Sequence, residues 1–470
     1  MSNDLLALTP AWELAELVRT KKLSPVEIVD HLLQRISSLN PKLNAYLTVT
    51  EAEARSAAQA AEEAVMKGEE LPLLHGVPVS IKDLHVTKGI RTTRGSLACK
   101  DFVPDEDEVA VERLRRAGAI VLGKTNTPEF GQSTTTENRL GDHCRNPWNV
   151  ERTTGGSSGG AAAAVAAGLG PLALGSDGGG SIRIPAGFCG VYGLKPTQGR
   201  VPVYTGLNVM PLFAVSGPIT RTVRDAALML DVMAGHDRRD PTCLRQRPPR
   251  FLDALEGELG GLVVAWSSDL GYAGVDPQVR SVAQSAAHVF QSLGCHVEEA
   301  TPASGEPFSI FATIALADTY AALGHLLEEH AEQLMPYVKS TLEVGERVTG
   351  YEYSRALGAL ACFRMHMVEF FERYDLLLTP TNAVPAFPVG QRPREIDGRE
   401  VDRLWGSCPF TTSFNLTGQP AATVPCGFSA DGLPIGLQIV GRWGDEVTVL
   451  RASAAFERAR PWAHRAPPLG

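Results

Sequence analysis

Between Thr153 and Pro196 the chain reads TTGGSSGGAAAAVAAGLGPLALGSDGGGSIRIPAGFCGVYGLKP. No other stretch restricts the fold as tightly. Two glycine–serine turns, 155–160 and 178–181, bracket a helix of small residues over 159–168 and a short apolar strand over 171–175. Glycine reaches positive φ and lets backbones approach closely. Consecutive backbone N–H groups in such turns converge on one point and suit an anion. Ser157, Ser158 and Ser181 stand beside those groups. A single loop of this kind would fit a phosphate cradle or a tight turn. Two loops, each carrying serine and joined by a helix of alanines, point instead to an oxyanion. Neither runs on into Gly-Lys-Ser/Thr, which argues against Walker-type phosphate binding.

Upstream, Val77 to Ile81 reads as a short buried strand with Lys82 at its end. Lysine is rarely buried, and on this segment alone a side chain snorkelling to solvent explains Lys82 equally well. Helix 109–117 followed by strand 119–124 gives a β-α-β rhythm, hence parallel strands covered by helices. Thr125 and Asn126 follow that strand end. They either line a site or cap the next helix, and capping is the favoured reading.

The remaining chain reads as scaffold. Helical periodicity covers 8–38, with Thr9 as N-cap before Pro10 and a Ser24–Glu27 capping box. A surface helix covers 51–67. Further helices are expected over 222–235, 279–293, 315–334, 351–374 and 445–459, and strands over 262–266, 295–298, 375–380, 421–424 and 435–440. A linker or surface loop is expected at 236–250 and an irregular, proline-rich segment at 384–403. No repeat is evident, so residues 1–470 read as one domain carrying an inserted variable layer at about 235–406.

Of 470 residues, 44% are hydrophobic and 21% charged, enough for a sizeable core. A net charge of −9 points to neither nucleic acid nor a polybasic membrane patch. Eight scattered cysteines form no CxxC pair, so neither a zinc knuckle nor a disulfide framework reads out. That usage suits a reducing, cytoplasmic setting. The N-terminal MSNDLLALTPAWEL lacks a basic n-region and does not read as a signal peptide, and no apolar run is long enough to span a membrane.

GGSSGG, GSDGGGSIRIPA and GLKPT resemble the amidase signature family, and VSIKD, NLTGQPAATVPCGF and GLPIGLQIVG extend the resemblance. It covers most of the chain except roughly 235–406, where only scattered positions match. It implies an α/β fold with a central mixed, largely parallel, twisted sheet, helices on both faces, and a variable helical layer over the active site. It also implies a serine hydrolase that cleaves amide bonds through an acyl-enzyme. Ser181 then matches the nucleophile, and the N–H groups of Gly178, Gly179, Gly180 and Ser181 the oxyanion hole. Ser157, following a cis peptide bond after Gly156, matches the serine that relays a proton to lysine. Lys82 in VSIKD matches that lysine, and its strand-end burial would lower its pKa far enough to accept a proton near pH 7. Ser158 would hold the relay, and Asp177 and Arg183 would brace the loop. No cofactor or metal is implied. His75, His85 and His143 lack paired ligand spacing and read as surface or supporting residues.

Two other enzymatic readings compete. Residues 155–159 match G-x-S-x-G, the nucleophile elbow of α/β-hydrolases, with Ser157 as nucleophile and His464 or His366 as base. That reading leaves GSDGGGSIR and VSIKD unexplained. Glutamine-hydrolysing components of tRNA-dependent amidotransferases share the motifs above. They carry an arginine-rich segment, where this chain has ERVTGYEYSRALGALACFR, and an aspartate where this chain has Cys408. A non-catalytic binding protein would not need all three relay residues. Phe308, Phe311, Tyr320, Tyr351, Phe363 and Trp405 belong either to the core or to a pocket wall. The expected substrates are small, largely uncharged amides, with aryl amides, esters and carbamates as candidates. No nucleic-acid or membrane partner is expected, and a homodimer is left open.

Overall fold

Apolar runs bounded by glycine and proline become the strands of one eleven-stranded sheet in a computed structural model that describes residues 6–204 and 209–469. Residues 1–5 of the N-terminal stretch read above lie outside the described residues. The sheet strands are β1 (Tyr46–Val49), β2 (Pro78–Lys82), β3 (Ile120–Thr125), β6 (Leu172–Asp177), β7 (Tyr192–Lys195), β8 (Val215–Thr220), β9 (Val263–Trp266), β10 (His296–Glu299), β11 (Leu376–Pro380), β14 (Ala421–Phe428) and β15 (Pro434–Gly441). Two short hairpins, β4–β5 (Arg145–Asn146, Asn149–Thr153) and β12–β13 (Glu395–Ile396, Arg399–Glu400), stand apart. The second lies in the segment expected to be irregular.

The strand order is β1-β3-β2-β6-β8-β7-β14-β15-β11-β9-β10. The sheet is mixed, as expected. Its parallel pairing lies in two runs, β3–β2–β6 and β11–β9–β10, while the middle of the sheet and the β1 edge pair antiparallel. The β2–β3 and β2–β6 registers bring Lys82 and Asp177 to the same end of the sheet.

Helices cover both faces because side chains alternate along each strand. On β3, Ile120 and Leu122 join one apolar cluster while Val121 joins the other. The first cluster packs against α2 (Pro25–Leu43) and α3 (Glu51–Lys67), the second against α4 (Val109–Arg116), α7 (Val223–Met233), α8 (Pro277–Ser292) and α14 (Glu446–Ala459). The Ser24–Glu27 capping box at the start of α2 is present. Helix α1 (Ala11–Arg19) corrects the Thr9 assignment: Pro10 itself holds the capping position and the helix starts one residue later than expected. No helix among the described residues is long and apolar enough to cross a membrane.

The small-residue helix α5 (Gly159–Ala166) is buried along its whole length. Gly160 shows why. Its N–H donates to the Asn126 carbonyl at 3.1 Å, and Asn126 N–H donates in turn to the Ala45 carbonyl at 2.8 Å. A Cβ at position 160 would overlap the Asn126 nitrogen and the Ala45 oxygen. Gly160→Ala is therefore expected to cost about 1–3 kcal/mol of stability, read as a lowered denaturant midpoint. An unchanged midpoint would show that the contact yields freely.

Past β10 come α9 (Phe308–Leu323), α10 (Leu326–Glu329), α11 (Pro336–Gly345) and α12 (Gly350–Arg373), of which α9 and α11 line a cavity; α6 (Arg183–Cys189) and α13 (Thr412–Leu416) complete the helices. The helix expected at 315–334 instead begins at Phe308, after Pro307, and ends before Gly324, with α10 as a separate turn. Leu323, Leu326, Leu334, Val338 and Leu342 pack with Phe130 in one cluster, so tertiary packing sets these boundaries.

Candidate active site

Lys82 ends β2 with its side chain entirely buried. Its Nζ donates to Ser157 Oγ at 2.6 Å and to Ser176 Oγ at 3.0 Å. Burial pulls its ammonium down to about 7, with Asp177 working weakly the other way. An amine so placed is half neutral near neutrality. Ser157 follows a cis Gly156–Ser157 peptide bond just before α5. Gly156 is packed against the backbone of Ser133 and Thr135, which leaves no room for a side chain there.

Ser181 lies at the end of the second glycine turn, half-buried. Ser158 joins the two turns: its N–H donates to the Ser181 carbonyl at 3.0 Å and its Oγ to the Ser176 carbonyl at 3.2 Å. Ser157 and Ser181 line one narrow cleft of about 100 Å³. Among the described residues no hydrogen bond joins their two hydroxyls.

Asp177 and Arg183 form the brace beneath this turn, both fully buried. Arg183 donates through Nε at 3.0 Å and Nη2 at 2.9 Å to the two carboxylate oxygens. It also reaches the Thr411 carbonyl at 2.9 Å and Gln438 Oε1 at 2.8 Å. Burial alone would raise the Asp177 pKa, but Arg183 beside it, with Asn415, holds the carboxyl well below the usual carboxylate range. Asp177 accepts the Gly180 N–H at 2.7 Å and the Ile182 N–H at 3.1 Å. This corrects the expected donor set. The Gly180 N–H is already engaged, whereas those of Gly178, Gly179 and Ser181 make no hydrogen bond among the described residues.

The C-terminal NLTG motif now has a physical role. Asn415 Nδ2 donates to Asp177 Oδ1 at 2.9 Å, and Thr411 Oγ1 donates to the Gly179 carbonyl at 2.6 Å, so α13 fixes the glycine turn from below. Thr125 and Asn126 neither cap a helix nor line the cleft. Asn126 bonds Asn44 and Asn138 at 2.8 and 2.7 Å, a loop-to-loop tie. His75 is buried against the Ala61 carbonyl, and His143 pairs with Glu137 at 3.0 Å. His85 is not a surface residue: it is buried, paired with Glu108, and lines the cleft. Ser176 and Glu108 escaped the sequence reading. Ser176 sits inside the quoted GSD motif, and its place at a strand end beside Lys82's strand was the available signal.

A second cavity, about 710 Å³, adjoins the cleft and shares Gln132, Met210 and Trp405 with it. Phe308, Phe311 and Trp405 form its aromatic wall, with ring centroids 5.0 to 6.4 Å apart. The other three aromatic candidates lie elsewhere. Phe363 is in the core, Tyr351 is 71% exposed, and Tyr320 bonds Glu346. Cys408 is buried beside Ser407 and lines neither cavity.

The amidase family model matches residues 27–450. The chain belongs to the amidase signature family. It is 41% identical over 474 residues to an acylamidase of Rhodococcus erythropolis, covering 99% of this chain and 98% of that one. It is 39% identical to a glutamyl-tRNA(Gln) amidotransferase component from Geobacillus thermodenitrificans, covering 97% and 98%. The crystal structure of a bacterial aryl acylamidase of the family superposes with a TM-score of 0.92 at 35% identity, covering 97% of each chain. As a member of the amidase signature family, the protein is an amide-hydrolysing enzyme with the family's mixed α/β fold.

Proposed function

We propose that Lys82, Ser157 and Ser181 form the proton relay of a serine amidase. The observation that carries this is the 2.6 Å contact between Lys82 Nζ and Ser157 Oγ in full burial. Neutral Lys82 takes the Ser157 proton as Ser157 takes that of Ser181. Ser181 Oγ then attacks the amide carbonyl. The N–H groups of Gly178, Gly179 and Ser181 hold the oxyanion, each worth on the order of 3 kcal/mol in the transition state. Collapse breaks the C–N bond, the amine leaves with the proton returned through Ser157, and an acyl-Ser181 ester remains. Water enters by the same relay and releases the acid. The Ser157–Ser181 contact closes in the substrate complex, as catalytic hydrogen bonds commonly do. The elbow reading finds no support: Ser157 bonds a lysine, and His366 and His464 are both exposed.

The substrates we infer are uncharged amides with one large apolar or aryl half, seated against Phe308, Phe311 and Trp405. Carbamates and esters of like shape fit the same chemistry. The relatives named as an acylamidase and an aryl acylamidase support this reading over a glutaminase. All eight cysteines are free, which suits a cytoplasmic enzyme. A panel of anilides, aliphatic amides, carbamates and glutamine tests it. The highest kcat/KM is expected for an anilide. A preference for glutamine overturns the assignment.

A further inference from the structure

The cleft that holds Ser157 and Ser181 carries a polar pair that the relay does not use. His85, three residues past Lys82, and Glu108, at the start of α4, both line it and both are buried. His85 Nδ1 lies 2.8 Å from Glu108 Oε2, and Ser216 Oγ donates to Glu108 Oε1 at 3.3 Å. The His85 carbonyl accepts from Lys124 Nζ at 2.6 Å, which pins the loop. A carboxylate offers only lone pairs, so Nδ1 carries the hydrogen that faces Glu108 and Nε2 is the ring nitrogen left over. That Nε2 is buried and has no partner among the described residues. Buried polar atoms without partners are few in native proteins. Of the donors that share the cleft, Ser216 is spent on Glu108 and Gln132 on the Phe130 carbonyl.

We propose that His85 is a specificity-determining residue, its Nε2 accepting a hydrogen bond from a donor on the part of the substrate that enters the narrow cleft. The inference rests on the amidase reading above. Of the two adjoining spaces, about 100 and 710 Å³, the narrow one takes the smaller half of the substrate. In an anilide that half is the acyl group. The substrate class is therefore a short acyl chain ending in a hydroxyl or N–H, joined to a larger apolar amine. Glu108 behind His85 disfavours an acyl chain ending in a carboxylate.

The experiment compares the para-nitroanilides of butyrate, gamma-hydroxybutyrate and succinate on the full-length enzyme. The ratio of kcat/KM for the hydroxybutyryl over the butyryl substrate should fall about tenfold in His85→Leu, the effect of one neutral hydrogen bond. Glu108→Gln, which removes both the fixed tautomer and the charge, should lower that ratio and raise the relative rate on the succinyl substrate. Ratios within one variant cancel any loss of folded enzyme. Hydrolysis of the anilides with both ratios unmoved in the two variants overturns the inference and leaves the amidase reading standing. Failure of the unsubstituted enzyme on every anilide overturns both.

Discussion

Ser181→Ala is expected to lose about 10⁴-fold or more in kcat on any amide substrate, the scale seen when a serine nucleophile is deleted. The prediction separates the two serines. Ser181 ends a turn in which the N–H groups of Gly178 and Gly179 make no hydrogen bond among the described residues, while Ser157 is bonded to Lys82. If Ser157 were the nucleophile, Ser181→Ala would retain most of its activity. Mass analysis of enzyme quenched during turnover gives the complementary reading: the acyl group should be found on the peptide that contains Ser181. Acyl label on the Ser157 peptide would reverse the roles.

The second large effect concerns Lys82. Lys82→Ala is expected to cost about 10³-fold or more, within the range for loss of a general base. In the unsubstituted enzyme, burial sets the Lys82 ammonium at about 7. The neutral amine is the active form, so kcat/KM should be low in acid, rise through pH 7, and level off above it. Below pH 6 the profile should approach a tenfold loss per pH unit. The sign follows from the depressed pKa of a cation: protonation on the acid side removes the base. A profile flat from pH 5.5 to 8.5 would mean that Lys82 is not the group that titrates.

Lys82, Ser157 and Ser181, the three residues proposed for the relay, stand out in the sequence because each sits in a contiguous motif whose composition is itself a constraint. Small residues flank Ser157 because Gly156 and Gly160 have no space for a Cβ, and Gly180 precedes Ser181 because a Cβ there would meet Thr411. Lys82 was ambiguous until the strand around it was buried on both sides. What could not be read depends on distant parts of the chain meeting. The His85–Glu108 pair joins a strand end to a helix start that only the β2–α4–β3 unit brings together. The loss of the Gly180 N–H to Asp177 is a matter of local turn geometry that spacing does not encode. At the start of α9, Phe308 follows Pro307 and its ring packs against Phe311 and Trp405, a contact that sequence spacing does not reveal. Asn415 was legible only as a motif member, and its purpose emerged from the bond to Asp177.

Every residue from 153 through 175 is shielded from solvent. Protein regions open locally where they have few apolar contacts and solvent-facing backbone bonds. This segment has neither, and it carries Ser157 and α5 together. Its amides therefore exchange with water only when most of the molecule opens. The part of the site carried by this segment, Ser157 included, has no private route to disorder.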